Sequence, residues 1–482
     1  MLTGKLAKVW NSPVLTTWAS LLAQSLSLVV VIPVIITRLT VEDVALYYVL
    51  VTLITFQAVL NVGFTPTFTR LVGFAMAGLP PERMADLNSL PSSLEKKDLE
   101  DDAVQKSLGR VVSTIRVVHK WIAFLALVPF AILAAFFAAE PIANSSSLAD
   151  GWIALFIVVL VTLFKVFGSQ FESVLRGSGQ IALVSRWQAV SNFASILTIL
   201  LVLYLSPSVV SVIVAHQSWQ VFNVLRNWIL CRRWLKRYSI DASQKFDRVV
   251  FDVSWPRAWR SGLGVFANNG VIQLLALDYA KNTDSETAAT YLLAVRIVTA
   301  IDQFSMAPFY TKLPIMNRVR ASGDLKGHSD LAQSGMLITN CIFVLGILTV
   351  AVLGNRLLLL IDASVMLPSA TIWVGIASVF WLNRYSAMHI QNYSVTNHIV
   401  WHWLNGISGL IALLVYFLMS EASLGLYTIP FAMLCGGLFN ASLSLYFSQK
   451  VIFGSLLSFE ARATGPSLLL FLLIAPIVVL LQ

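Results

Sequence analysis

The stretch 151-GWIALFIVVLVTLFKVFGSQFES-173 decides the class of fold. From Gly151 to Phe164 the run is apolar on every side, so a helix built from it has no face to offer water. A soluble helix alternates apolar and polar stripes, whereas a run of about 20 apolar residues is long enough to cross the hydrocarbon core of a bilayer. The rest of the chain is of the same kind. Of 482 residues 57% are hydrophobic and 12% charged, where soluble proteins show about 45–50% and about 25%. A membrane β-barrel would instead alternate strictly over segments of about 10 residues, and the long runs do not. The sequence therefore predicts an all-α polytopic membrane protein.

Read in order, the runs give twelve spans: 14–37, 44–70, 117–138, 151–173, 187–205, 209–230, 261–280, 289–311, 335–353, 366–386, 404–420 and 427–448. A further apolar segment, 466–482, is short and carries Pro476, which makes a thirteenth span and an interfacial helix equal readings. The tail before the first span holds Lys5 and Lys8 and no small-residue cleavage pattern follows that span, so the first helix is expected to stay as an anchor. With a cytoplasmic N-terminus, Arg83, Lys96, Lys97, Lys106, Arg110, Arg116 and Lys120 fall in the cytoplasmic connection after the second helix. Arg226, Arg232, Arg233, Lys236, Arg237, Lys245, Arg248, Arg257 and Arg260 fall in that after the sixth, and the opposite side keeps Arg38, Lys281 and Arg356. The asymmetry follows the positive-inside rule. The net charge of +9 then marks loops that face anionic lipid, with no nucleic acid as partner.

Cys231, Cys341 and Cys435 lie on different helices and are expected to be buried free thiols. His398 and His402 stand four apart, but no third ligand or catalytic Glu accompanies them, so no metal site is expected. The stretch 78–116 is the sizeable soluble element besides the central connector 231–257, and Ser92 with Glu95 would make a capping box there. No nucleotide-binding glycine loop occurs. No cofactor is expected, and a proton or sodium gradient would be the energy source.

The chain also repeats itself. Glu42-Asp43-Val44-Ala45-Leu46-Tyr47 is answered by Glu286-Thr287-Ala288-Ala289-Thr290-Tyr291, and Pro66-Thr67-Phe68-Thr69-Arg70-Leu71 by Pro308-Phe309-Tyr310-Thr311-Lys312-Leu313. The two matches recur on consecutive elements at offsets of 244 and 242 residues. The reading is a lobe of six helices over 1–235, a second over 236–448 and an extra apolar segment over 449–482. Six is even, so the repeats are parallel, with a pseudo-twofold axis along the membrane normal. That arrangement suits transporters in which two bundles rock around a substrate path.

The order of these elements, the stretch Leu175-Arg176-Gly177-Ser178-Gly179-Gln180, and the segment Phe251 to Gly264 with Trp255, Arg257, Trp259, Arg260 and Ser261-Gly262-Leu263-Gly264 resemble polysaccharide flippases of the Wzx type, in the multidrug, oligosaccharidyl-lipid and polysaccharide exporter superfamily. The resemblance covers about residues 10 to 448. It implies two six-helix lobes in a V, a bacterial inner-membrane location, and translocation of an undecaprenyl-pyrophosphate-linked oligosaccharide to the outer leaflet by alternating access. Such a protein serves O-antigen, capsule, lipopolysaccharide or exopolysaccharide biosynthesis and works beside polysaccharide polymerase machinery and membrane lipids.

Charged residues within spans are expensive and usually face protein or a watery cavity. Lys165 is followed on its face by Ser169, Glu172 and Arg176. Arg296 shares a face with Thr299 and Gln303, with Asp302 about a third of a turn away. Arg384 sits toward the end of the tenth span. Lys165, Arg296 and Arg384 would offer a pyrophosphate its counter-charge, and Arg296 and Arg384 could equally snorkel to headgroups. Asp302 and Glu172 are candidates for ion coupling. His216, Gln220 and Asn223 on the sixth span, Gln24 on the first, and Asn268, Asn269 and Gln273 on the seventh suit sugar hydroxyls, and equally suit helix-to-helix hydrogen bonds. The alternative within the superfamily is a drug or cation exporter. It would need anionic residues in its cavity, and Lys165 and Arg296, set against Asp302 and Glu172, argue the other way. A membrane glycosyltransferase or polymerase needs surface catalytic residues on a large external loop. The longest external connection, Glu140 to Asp150, offers two acids and no histidine, so a non-enzyme is expected.

Overall fold

Within hydrocarbon every backbone N–H and C=O must find its partner inside the segment, which favours helices. A computed structural model describes residues 13–61, 63–76, 78–84, 102–242, 245–321, 324–394, 400–419 and 425–481, and all regular structure among them is helical. Lys5, Lys8, the Ser92–Glu95 capping box and His398 lie outside the described residues.

The helices are α1 (Pro13–Arg38), α2 (Val41–Thr55), α3 (Gln57–Leu60), α4 (Phe64–Met76), α5 (Asp102–Ala143), α6 (Leu148–Gly177), α7 (Ile181–Leu205), α8 (Val209–Arg237) and α9 (Arg248–Val265). After a π turn at Phe266–Gly270 come α10 (Val271–Asn282), α11 (Ser285–Ser305), α12 (Ala307–Tyr310), α13 (Leu313–Ala321), α14 (Leu325–Leu360), α15 (Ala370–Ser394), α16 (Trp401–Met419), α17 (Thr428–Ser448), α18 (Leu456–Ala463) and α19 (Gly465–Leu481). Seven among the described residues are long and apolar enough to cross a membrane: α5, α6, α7, α11 continued through α12, α14, α16, and α17 with its flanking turns. The pair α18 and α19, bent by 53°, makes an eighth if counted as one broken span.

Two expected spans are interrupted: 44–70 is divided into α2, α3 and α4, and 261–280 holds the π turn, while 289–311 falls within the single span Ser285–Tyr310. Gly63 gives the physical reason for the first break. Its φ of +69° is a left-handed conformation, and a Cβ there would lie 2.5 Å from the carbonyl oxygen of Ala258, so the chain turns where a side chain could not fit. Two other expectations move as well. Lys106, Arg110, Arg116 and Lys120, assigned to the connection after the second helix, lie on the long helix α5, where Val104, Leu108, Val111, Val112 and Ile115 give the first turns a fully buried apolar face and make them continuous with the next span. The connector 231–257 shrinks to the residues between α8 and α9, since α8 continues to Arg237 and α9 starts at Arg248.

The chain divides into two compact units. The first comprises residues 1–34 and 49–266, the second 35–48 and 267–482. In the first unit α6 is central. It packs on α8, α5 and α4, and α4 also meets α5 and α9. A cluster including Phe68, Leu71, Val72, Leu108, Val111, Leu175 and Val250 forms its core. At its polar edge Arg110 reaches Glu82 at 2.7 Å and also pairs with Asp247, the N-cap of α9.

In the second unit α15 packs on α17 and α11, and α14 on α11, α18 and α19. The corner between α1 and α2 belongs here too. Ser364 holds it through its backbone N–H and hydroxyl, which donate to the carbonyl of Ile36 at 2.8 and 2.6 Å. Each unit contains a helix interrupted just before a proline, Phe64-Thr65-Pro66 and Ala307-Pro308, followed by a very long helix, α5 or α14.

Candidate functional site

The first unit carries a polar seam between α6 and α8. The two helices come close because Gly168 faces Val224: a Cβ on that glycine would meet Val224 Cγ1 at 2.5 Å. Ridge-into-groove contact at so short a distance brings the polar stripes of both helices together. Lys165 is half-buried one turn before Gly168, within electrostatic reach of His216 on α8 and Glu172 on α6, and makes no hydrogen bond or ion pair with a described residue. His216 lies 3.4 Å from Gln220 through its Nε2, and its Nδ1 has no hydrogen-bond partner among the described residues. Glu172 accepts from Arg176 Nε at 2.6 Å. Ser169 donates to Asn61 Oδ1 at 3.0 Å and so ties α6 to the break after α3.

Two members of the seam were not read from the sequence. Arg226 was counted with the basic connector, yet it lies on α8, is 8% exposed, and donates to Asn223 Oδ1 at 2.8 Å and Asn227 Oδ1 at 2.7 Å. The spacing 216, 220, 223, 227 was the available signal, since it continues one face of the helix. Gln217 is 1% exposed, and neither atom of its amide has a partner among the described residues. A buried amide without a partner costs about 1–3 kcal/mol.

The second unit disposes its charges differently. Arg384 on α15 is 2% exposed along its side chain. It forms an ion pair with Asp302, donates to the Asp302 carbonyl at 2.5 Å, and reaches Ser305 Oγ at 3.1 Å. Arg296 on α11 is half-buried, with the hydroxyls of Tyr47 and Tyr48 within electrostatic reach. Thr299 donates to its own helix at Val295 O, 2.6 Å away, and Gln303 is half-buried. The structure thus joins Asp302 to Arg384, while Arg296 is set beside two tyrosines. A water-sized cavity of about 10 Å³ lies between Ala267, Val271, Asn383, Asn405, Ser408 and Asn440. The side chains of Gln24, Asn268 and Asn269 lie outside the described residues, although the backbone of the last two forms the π turn. Gln273 is half-buried.

The three cysteines are free, Cys231 buried and Cys341 and Cys435 half-buried. Among the described residues no group of three or more His, Cys, Asp or Glu side chains could hold a metal ion.

Solved structures supply a match over almost the whole chain. An inward-facing multidrug resistance MATE family transporter of the MOP superfamily superposes with a TM-score of 0.64 at 11% identity, covering 94% of this chain and 97% of that one. The MATE multidrug transporter DinF-BH gives 0.59 at 16% identity, covering 93% and 97%. An outward-facing MATE family transporter of the same superfamily gives 0.56 at 12% identity, covering 92% and 97%. No protein-family model and no curated protein matches the sequence.

Proposed function

We propose that this chain, a multi-pass membrane protein with the fold of MATE multidrug transporters, exports small amphipathic organic molecules. The observation that carries the reading is the superposition over 94% of this chain, which leaves little of it for an additional domain. The polar seam of α6 and α8, with Lys165, His216, Gln220, Gln217 and Arg226, is the proposed contact for cargo in the first unit. Arg296, Thr299 and Gln303 are the proposed contact in the second. With Lys165 and Arg226 both cationic, neutral or anionic compounds suit this seam better than cations. In the proposed topology residues 1–235 and 236–448 form two parallel six-helix lobes in a bacterial inner membrane, with a cytoplasmic N-terminus. A cysteine at position 8 should then resist an impermeant reagent added to intact cells.

Lys165 favours a second reading. A half-buried ammonium with no ion-pair partner among the described residues suits a lipid-linked pyrophosphate, as translocation of an undecaprenyl-pyrophosphate-linked oligosaccharide would require. The two readings are separated by expression in an efflux-deficient strain and in a flippase-deficient strain. Raised drug tolerance with dye extrusion supports export, and restored polysaccharide supports flipping. Failure of both assays with correctly inserted protein would refute both.

A further inference from the structure

The ion-coupling candidates Asp302 and Glu172 are both held by arginines of their own units. A different carboxylate is set against a histidine. Glu460, on α18, is 3.2 Å through Oε1 from Nε2 of His389 on α15, and the histidine side chain is fully buried. The other carboxylate oxygen accepts from the Thr464 hydroxyl at 2.9 Å. The Tyr385 ring lies 4.4 Å from the imidazole, with its hydroxyl facing the same carboxylate. Phe459 packs on the other side with ring centroids 6.3 Å apart; neither imidazole nitrogen and not Glu460 Oε1 makes a hydrogen bond among the described residues, so His389 and Glu460 meet as an ion-pair contact.

We propose that His389 and Glu460 form a proton-binding pair that fastens the C-terminal helices α18 and α19 to α15. The contact sits where the two C-terminal helices bend by 53°, beside an apolar cluster of Phe459, Ala463, Met336 and Met388. Asn340 of α14 meets the carbonyl of Ala463 at 3.5 Å. With one shared proton the pair is neutral overall, as imidazolium with carboxylate or as imidazole with carboxylic acid. Loss of that proton leaves a buried net negative charge, and gain of a second leaves a net positive one. Either charge is costly beside the fully buried imidazole, more so than at the carboxylate, whose side chain is 19% exposed.

Among the described residues the nearby charges are engaged elsewhere, Arg384 on the same helix as His389 being paired with Asp302 of α11. Of the titratable groups on the neighbouring elements, His328 on α14 is turned to Asn392 at 2.9 Å and to the Met316 carbonyl. Lys450 lies over the rings of Tyr446 and Phe447, and Arg462 is exposed. The groups that act on Glu460 are His389, Thr464 and Tyr385.

Hydrogen exchange of the full-length protein in lipid nanodiscs tests the pair through the peptide covering residues 456–463, with rates corrected for the intrinsic effect of pH. Wild-type protection should peak at intermediate pH and fall by about tenfold per pH unit of proton loss or gain on either side. The variants should respond in opposite senses. His389→Gln leaves a lone carboxyl, so α18 should dock in acid and loosen in alkali. Glu460→Gln leaves a lone imidazole, so α18 should dock in alkali and loosen in acid. A purely structural contact would make both variants looser at every pH. That result, or a pH-independent wild type, would overturn the proposal.

Discussion

Lys165 and Arg384 occupy comparable places. Each is a cation deep in the helix that follows the very long one, α6 after α5 and α15 after α14. The two units treat them in opposite ways. Arg384 is 2% exposed and is matched by Asp302 and Ser305 from α11 of its own unit. Lys165 is half-buried and has no ion-pair or hydrogen-bond partner among the described residues. A buried charge that the fold has already neutralised belongs to the architecture, whereas one left unmatched is available to a ligand.

The contrast can be broken from its structural side first. Arg384→Ala strands Asp302 without its counter-charge and should cost about 3–5 kcal/mol. It should therefore lower the unfolding temperature of the purified protein markedly. Removing both members of the pair should restore most of that loss. Equal damage from the double variant would mean that the ion pair is not what stabilises this part of the second unit.

A smaller effect is expected where the seam of the first unit depends on close helix approach. Gly168→Ala would place a methyl carbon 2.5 Å from Val224 Cγ1. Overpacking of this kind should cost about 1–3 kcal/mol. Val224→Ala in the same chain should relieve it, and thermal unfolding of the single and double variants measures both.

The smallest effect lies outside the spans. The hydrogen bond from Arg110, with one from its own backbone, holds the Glu82 carboxyl below the usual carboxylate range. Burial pushes Asp247 up, but Arg110 and the N–H groups of Val250 and Val249 outweigh it and leave that carboxyl low as well. A carboxylate with a depressed folded-state pKa contributes stability above its unfolded value and loses it as pH falls through the folded one. The contact between Pro81–Arg83 and the start of α9 should thus hold at neutral pH and loosen only in strong acid. Arg110→Ala should bring that loosening to higher pH, measured as proteolytic nicking near Asp247. Because Glu82 is exposed, the shift should be modest and should shrink further in high salt.

The sequence made some of this legible and hid the rest for physical reasons. Apolar runs such as 151–173 announce a membrane helix because lipid rewards the whole run at once, and α6 matches that stretch within a few residues at each end. Breaks are harder to read. The turn at Gly63 depends on the carbonyl of Ala258, almost two hundred residues away, and no local signal distinguishes it from a glycine tolerated in a helix. The polar face of α8 was legible from 216 to 223, but Arg226, although inside the expected span 209–230, was counted with the basic residues clustered beyond it, which mask the end of a helix that continues to Arg237. Asp302 and Arg384 are 82 positions apart, so their pairing is a tertiary fact that helical spacing cannot supply.

Transport by Lys165 variants tests the account most directly. In everted membrane vesicles the wild-type chain should accumulate a neutral or anionic amphipathic dye. Lys165→Ala should reduce the initial rate at least about tenfold, the scale of one lost charge-assisted contact, with protein level and unfolding temperature unchanged. Lys165→Arg should recover part of the rate. Wild-type transport retained in full by the alanine variant would contradict the assignment of the α6 and α8 seam to cargo.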